Sequence, residues 1–189
     1  MSRWHVFRWI VGATVPVFLL ACGKGSNGPV DSGVISTKIN GNDSDIEGTV
    51  IYKATNISTT SGNQWGEFIK QAKDECGGDP IGFEVTSLTV SNQSPFEDFV
   101  SAQLAIIFAQ STSSDIPHDP QATAGTTSNP TGTGPVELAQ LATRDNLTAL
   151  HSRLIGGDFE VVLRADTDQA GNNFDFDITV SIEARAHCD

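Results

Sequence analysis

The chain has 189 residues, with 23 acidic against 11 basic side chains and a formal charge of -12. A chain this acidic is a poor ligand for nucleic acid, and its body is repelled by an anionic membrane surface. Hydrophobic residues make up 38% of it, enough for one domain with a real core.

Arg3 and Arg8 accompany Trp9 to Leu20, a run of 12 mostly apolar residues interrupted by Pro16. A helix that crosses a bilayer needs about 20 apolar residues. The shorter run fits a cleavable export signal. It closes on Leu19-Leu20-Ala21-Cys22. These residues resemble the lipobox of bacterial lipoproteins, with an aliphatic residue three before the cysteine and a small one just before it. The resemblance covers residues 1–22 alone. It implies cleavage before Cys22, a diacylglycerol on the Cys22 thiol, palmitate-type acylation of the new amine, and residence in the cell envelope. Gly23 stands where an aspartate would retain such a protein in the inner membrane, which favours the outer membrane. The competing reading is an ordinary secretory signal with a chance cysteine. Two or three acyl chains exceed the marginal hold of one, since each buried CH₂ adds about 0.8 kcal/mol. Removal of residues 1–21 leaves 168 residues, with Lys+Arg reduced from 11 to 9 and the charge at -14.

Residues 22–33 then read as a lipidated flexible tether, rich in Gly, Ser and Asn. Residues 34–189 read as a single β-rich domain. A first strand is expected over Val34–Ile39 and a clearer one over Glu47–Thr55. The period changes at 63–76, where Trp65, Phe68, Ile69, Ala72 and Cys76 form a helical stripe. Asn63 is a suitable cap, and Gly77-Gly78 a suitable stop. Strand alternation resumes at Ile81–Val90 and shifts phase between Val85 and Leu88, the mark of a bulge. Val100 to Ala109 is apolar on both faces and reads as a central strand, with a short helix over 97–107 as the alternative.

Residues 111–135 hold little but Ser, Thr, Gly, Pro, Ala, Asp and Asn, and read as a long polar loop. A short strand is expected over Val136–Leu141, and then a short helix capped by Asp145 and closed by Gly156-Gly157. From Phe174 to Ala186, apolar and polar residues alternate without a break, as in a long antiparallel strand with one buried face. Phe159, Val161, Leu163 and Ala165 read as its hairpin partner.

Setting Cys22 aside leaves Cys76 and Cys188, an even pair that reads as a disulfide in an oxidising compartment. The chain-entropy model gives about 4.7 kcal/mol for a loop of this length. The bridge would staple the 63–76 helix to the last strand.

Within 166–177, Asp166, Asp168 and Gly171 match the first, third and sixth positions of a calcium loop. Ala170 and Asn173 break the pattern, and Asp177 stands in place of the terminal Glu. The favoured reading is a polar hairpin turn. The alternative is a looser calcium site of Asp166, Asp168, Asp175 and Asp177. Asn40, Asn42, Asp43, Asp45 and Glu47 form a second oxygen-rich patch. Asp115, His118 and Asp119 offer three donors for zinc in a Pro-interrupted loop. His151 reads as a surface or half-buried side chain. Neither a GxSxG, an HExxH nor a Walker loop occurs.

The expected fold is mainly β, an antiparallel β-sandwich of about six to eight strands with two short helices. An immunoglobulin-like arrangement has this length and pattern. The expected function is a membrane-anchored envelope lipoprotein acting as a non-catalytic interaction or structural module. Its partners are the membrane, through lipid on Cys22, and an envelope or surface protein or glycan. The alternatives are a calcium-dependent adhesion or carbohydrate-binding module, and a hydrolase with a scattered site.

Overall fold

The computed structural model describes residues 28–60 and 62–188. Residues 1–27, where the export signal and the lipidated Cys22 are expected, lie outside the described residues. Among the described residues there are nine strands: β1 (Val30–Asn42), β2 (Ile46–Glu47), β3 (Val50–Ile57), β4 (Gly82–Asn92), β5 (Gln103–Gln110), β6 (Gln121–Ser128), β7 (Val136–Glu137), β8 (Phe159–Asp166) and β9 (Asp175–His187). The helices are α1 (Gln64–Cys76), α2 (Arg144–Leu147) and α3 (His151–Gly156).

One sheet runs β1-β9-β4-β7 and the other β2-β3-β8-β5-β6, and every paired neighbour is antiparallel. The pairs β1–β9, β3–β8, β4–β7 and β5–β6 are nested, like the rungs of one long hairpin. Rolling that hairpin brings β9 against β4 and β8 against β5. The result is a two-sheet jelly roll. This corrects the immunoglobulin-like expectation, because composition and alternation say that a sandwich forms but not how the chain winds through it. It also corrects the expected β8–β9 hairpin. Those two strands lie in different sheets, and the 167–174 connection crosses between them.

The core lies between the sheets. Ile39, Leu88, Val90, Ile178, Val180 and Ile182 from the first meet Ile51, Leu104, Ile106, Phe108, Val161 and Leu163 from the second. β9 alternates buried and half-exposed residues along its length, as its sequence predicts. β5 is buried on both faces, which settles it as a central strand. The bulge in β4 falls between Val85 and Ser87. β1 begins at Val30, so it takes in residues 30–33, read from the sequence as part of the tether.

Two local predictions change. The 111–135 segment is not all loop, because β6 runs through it and pairs with β5. Its small residues hide the strand: Ala124 and Gly125 are buried, and a Cβ on Gly125 would lie 2.8 Å from Leu88 Cδ2. Thr143, not Asp145, caps α2, and its N–H donates to Asn146 Oδ1 at 3.1 Å. Asp145 sits in the first turn instead, where a negative charge still suits the helix dipole.

α1 forms as its stripe predicts. The Asn63 side chain accepts from the Trp65 and Gly66 N–H groups, and Gly77 ends the helix at φ 71°. Trp65 is buried between the sheets, with its ring 5.0 Å from Phe159 of one and 6.1 Å from Phe83 of the other. Its Nε1–H donates to the Leu154 carbonyl at 2.8 Å. A disulfide joins Cys76 at the end of α1 to Cys188 just past β9, with Cα atoms 5.0 Å apart.

Candidate functional site

The β1–β9 register sets Asn40 opposite Asp177 and Asn42 opposite Asp175. Neighbouring positions two apart share a face of the sheet. Part of each oxygen-rich patch, Asn40 and Asn42 of one and Asp175 and Asp177 of the other, therefore meets on the outer face of the first sheet. Gln93 and Ser94, just after β4, close the third side. Together with Gly41 and Phe176 these residues line an open polar cleft of about 490 Å³.

Behind the cleft, on the inner side of the sheet, lies an aromatic stack. Phe176 turns inward and stacks on Phe99, with ring centroids 5.4 Å apart, and Phe174 packs 6.2 Å from Phe176. Gly41 lies across from Phe176 in the register, and a Cβ there would come within 2.3 Å of the Phe176 ring. Only glycine lets the strand pass over this stack.

The polar rim is partly satisfied. The Asp177 N–H donates to Asn92 Oδ1 at 2.9 Å, a side chain standing in for the strand that has ended there. Asp177 Oδ2 accepts from Gln93 Nε2 at 3.3 Å and lies 3.6 Å from the Lys38 ammonium. Asp177 Oδ1 is buried and has no hydrogen-bond partner. Among the described residues the Asp175 side chain has neither an ion pair nor a hydrogen bond, and the residue is exposed.

The four carboxylates of the calcium reading do not share one point. Asp166 pairs with Arg164 at 3.1 Å, and Asp168 accepts from Gln169 Nε2 at 2.8 Å. Asp175 and Asp177 belong to the cleft. Among the described residues, no group of three His, Cys, Asp or Glu side chains is placed to hold a metal ion. In the second patch, Asn42 Oδ1 accepts from the Ser44 N–H and Asp45 accepts from the Asn42 N–H, so both amide and acid shape the chain turn.

The zinc reading of Asp115, His118 and Asp119 fares similarly. Asp115 accepts the Ala54 N–H at 3.2 Å and the Lys53 ammonium at 3.1 Å, while Asp119 accepts from Gln121. The Lys53 ammonium also reaches Asp45 at 3.0 Å, and these hydrogen bonds raise its pKa, with Asp45 contributing most. His151 Nε2 meets the Pro80 carbonyl at 2.7 Å, and its ring packs on Phe83, a structural placement.

One group went unnoticed in the sequence. Glu160 lies on the outward phase of β8 yet is only 1% exposed. Its Oε2 accepts the Thr112 N–H at 3.4 Å, and Oε1 has no partner. Burial pushes the Glu160 carboxyl above the usual range; the Thr112 N–H opposes this, Asp115 adds to it and His118 opposes it.

No protein-family model and no curated protein matches the chain. Among solved structures it is similar to Cocksfoot mottle virus, at 11% identity over 99% of this chain and 96% of that chain, with a TM-score of 0.33. A likeness that distant carries no argument about activity. Jelly rolls host unrelated functions, so function has to be read from the surface itself.

Proposed function

We propose that the chain is a lipid-anchored protein of the bacterial envelope, held through Cys22, whose jelly roll serves as a non-catalytic interaction module. The observation that carries this reading is the placement of the cleft relative to the tether. Cys22 precedes Val30 by only eight residues, a span of at most about 29 Å. Val30 opens β1, and Asn40 and Asn42 lie at its far end. A 13-residue strand spans roughly 40 Å. The polar cleft is thereby presented away from the anchoring surface, where an envelope or surface protein or a glycan would meet it.

Two further features favour the reading. A chain with a Cys76–Cys188 disulfide suits an oxidising compartment outside the cytoplasm. The cleft is lined by amides, carboxylates and one hydroxyl, the groups that recognise hydroxyl-rich or amide-rich ligands, and it holds no nucleophile paired with a base. The carbohydrate-binding reading draws on this same lining. Of the four carboxylates in the calcium-dependent reading, only Asp175 and Asp177 line the cleft, and calcium there would have to bridge them to the ligand.

Metabolic labelling with an alkyne fatty acid tests the anchor. The expected result is a labelled chain in the membrane fraction and an unlabelled, released Cys22→Ser variant. An unlabelled wild-type chain overturns the reading.

A further inference from the structure

Residues 111–120 leave β5, cross the outer face of the second sheet and return into β6. Four hydrogen bonds hold the crossing. The Thr112 N–H donates to Glu160, the Ser111 hydroxyl to the Asn56 side chain, and Asp115 accepts from both Ala54 and Lys53. The segment thus reaches from Glu160 to the free edge of β3. Val162 is the register partner of Ala54 and lies between those two anchor points.

The outer face of an antiparallel sheet in a sandwich usually meets water. Here Val162 and Ala109 are fully buried on that face, and with Ile107 they form a second apolar cluster, flanked by Tyr52 and Ala54. Glu160 shares the phase of Val162. Its carboxyl is closed off from solvent with one long hydrogen bond and one bare oxygen. A neutral acid tolerates that environment far better than a carboxylate does.

We infer that residues 111–120 form a pH-operated strap, latched over the second sheet while Glu160 is protonated and released when Glu160 ionises. The proton balance is simple. The closed strap holds Glu160 as the neutral acid, and opening hydrates the carboxylate and gives one proton to solvent. Burial raises the Glu160 pKa in the closed state. Closure is therefore favoured most below the ordinary carboxylate range. It weakens as pH rises from there through the raised value.

The charged groups around Glu160 are few. The strap brings Asp115 and His118, which act on it in opposite directions. β3 brings Lys53, already held by Asp115 and Asp45. β8 itself carries Arg164, held by Asp166, and α3 brings Arg153, which is paired to Asp158 and reaches Gln110 at the root of the strap. Within the described residues none of these cations donates a hydrogen bond to Glu160, so ionisation leaves a buried charge with no cationic partner, answered only by the long Thr112 N–H bond.

Amide hydrogen exchange on the full chain reads the strap directly. After correction for intrinsic exchange, protection of 111–116 and of the Val162 segment should fall as pH rises from 5 to 8, the direction set by the raised Glu160 pKa. Glu160→Gln, or the apolar Glu160→Met where the amide disturbs packing, should flatten that profile. His118→Gln should leave it sloping. A flat wild-type profile, or a slope that survives the loss of the Glu160 carboxyl, overturns the inference.

Discussion

Gln64 reaches from the first turn of α1 to the free edge of β1, where its Oε1 accepts the Ser36 N–H at 2.8 Å. Asp115 does the same for β3, taking the Ala54 N–H at 3.2 Å. Each sheet thus has an outer N–H answered by a side chain from another element. Open sheet edges template pairing with other chains, and natural proteins blunt them. Lys38 adds a charge to the same edge of β1, and it is mostly exposed.

Loss of the β3 plug should be costly locally. Asp115→Ala removes one charge-assisted bond to the backbone and one partner of Lys53. About 1–2 kcal/mol of stability is expected to go. Urea unfolding measures it, and Asp115→Asn should recover part by keeping an acceptor for Ala54.

Gly41→Ala tests the close approach over the aromatic stack. A Cβ 2.3 Å from the Phe176 ring forces the strand or the ring to move. Overpacking of this kind costs about 1–3 kcal/mol. Phe176→Leu should relieve part of it, so the double variant should be less damaged than the sum of the singles.

Reduction of the disulfide should destabilise the whole domain. Cys76 and Cys188 lie 112 residues apart, and removing such a link costs about 2–5 kcal/mol. Cys76→Ser and Cys188→Ser should each shift the urea midpoint as far as dithiothreitol does, and the reductant should have no added effect on either variant.

The Arg185 guanidinium beside Asp31 holds its carboxyl below the usual range, chiefly through a hydrogen bond at 2.7 Å. A lowered acid stabilises the fold above the ordinary carboxylate range and loses that contribution as pH falls through its lowered value. The pair is exposed, so the effect on stability is small. An NMR titration should show the Asp31 pKa return upward in Arg185→Leu, with little change in unfolding at neutral pH.

The parts of the fold that could be read in the sequence are those set by local periodicity. The α1 stripe from Trp65 to Ala72 needs only the helical repeat, and its ends at Asn63 and Gly77 are made by adjacent residues. The β9 alternation needs only the pleat. β6 was hidden because QATAGTTS has no apolar stripe, and its burial comes from lying close to Leu88 and pairing with β5. The supposed β8–β9 hairpin failed for a related reason: alternation tells which face is buried but not which strand is the neighbour. The cleft depended on the pairing of Asn40 with Asp177, residues from opposite ends of the chain. The sequence showed each oxygen-rich patch alone and could not bring them together. Glu160 looked like an ordinary outward residue of β8, and only the strap makes it unusual.

Site-specific photocrosslinking in intact cells tests the central claim most directly. A photoreactive residue is placed at Gln93 on the rim of the cleft, with a matched control at the exposed Val34 near the start of β1. The account predicts an adduct from position 93 that disappears when Asn40 and Asp175 are changed to alanine, and no such adduct from position 34. Absence of any adduct at 93, or one indifferent to Asn40 and Asp175, would contradict it.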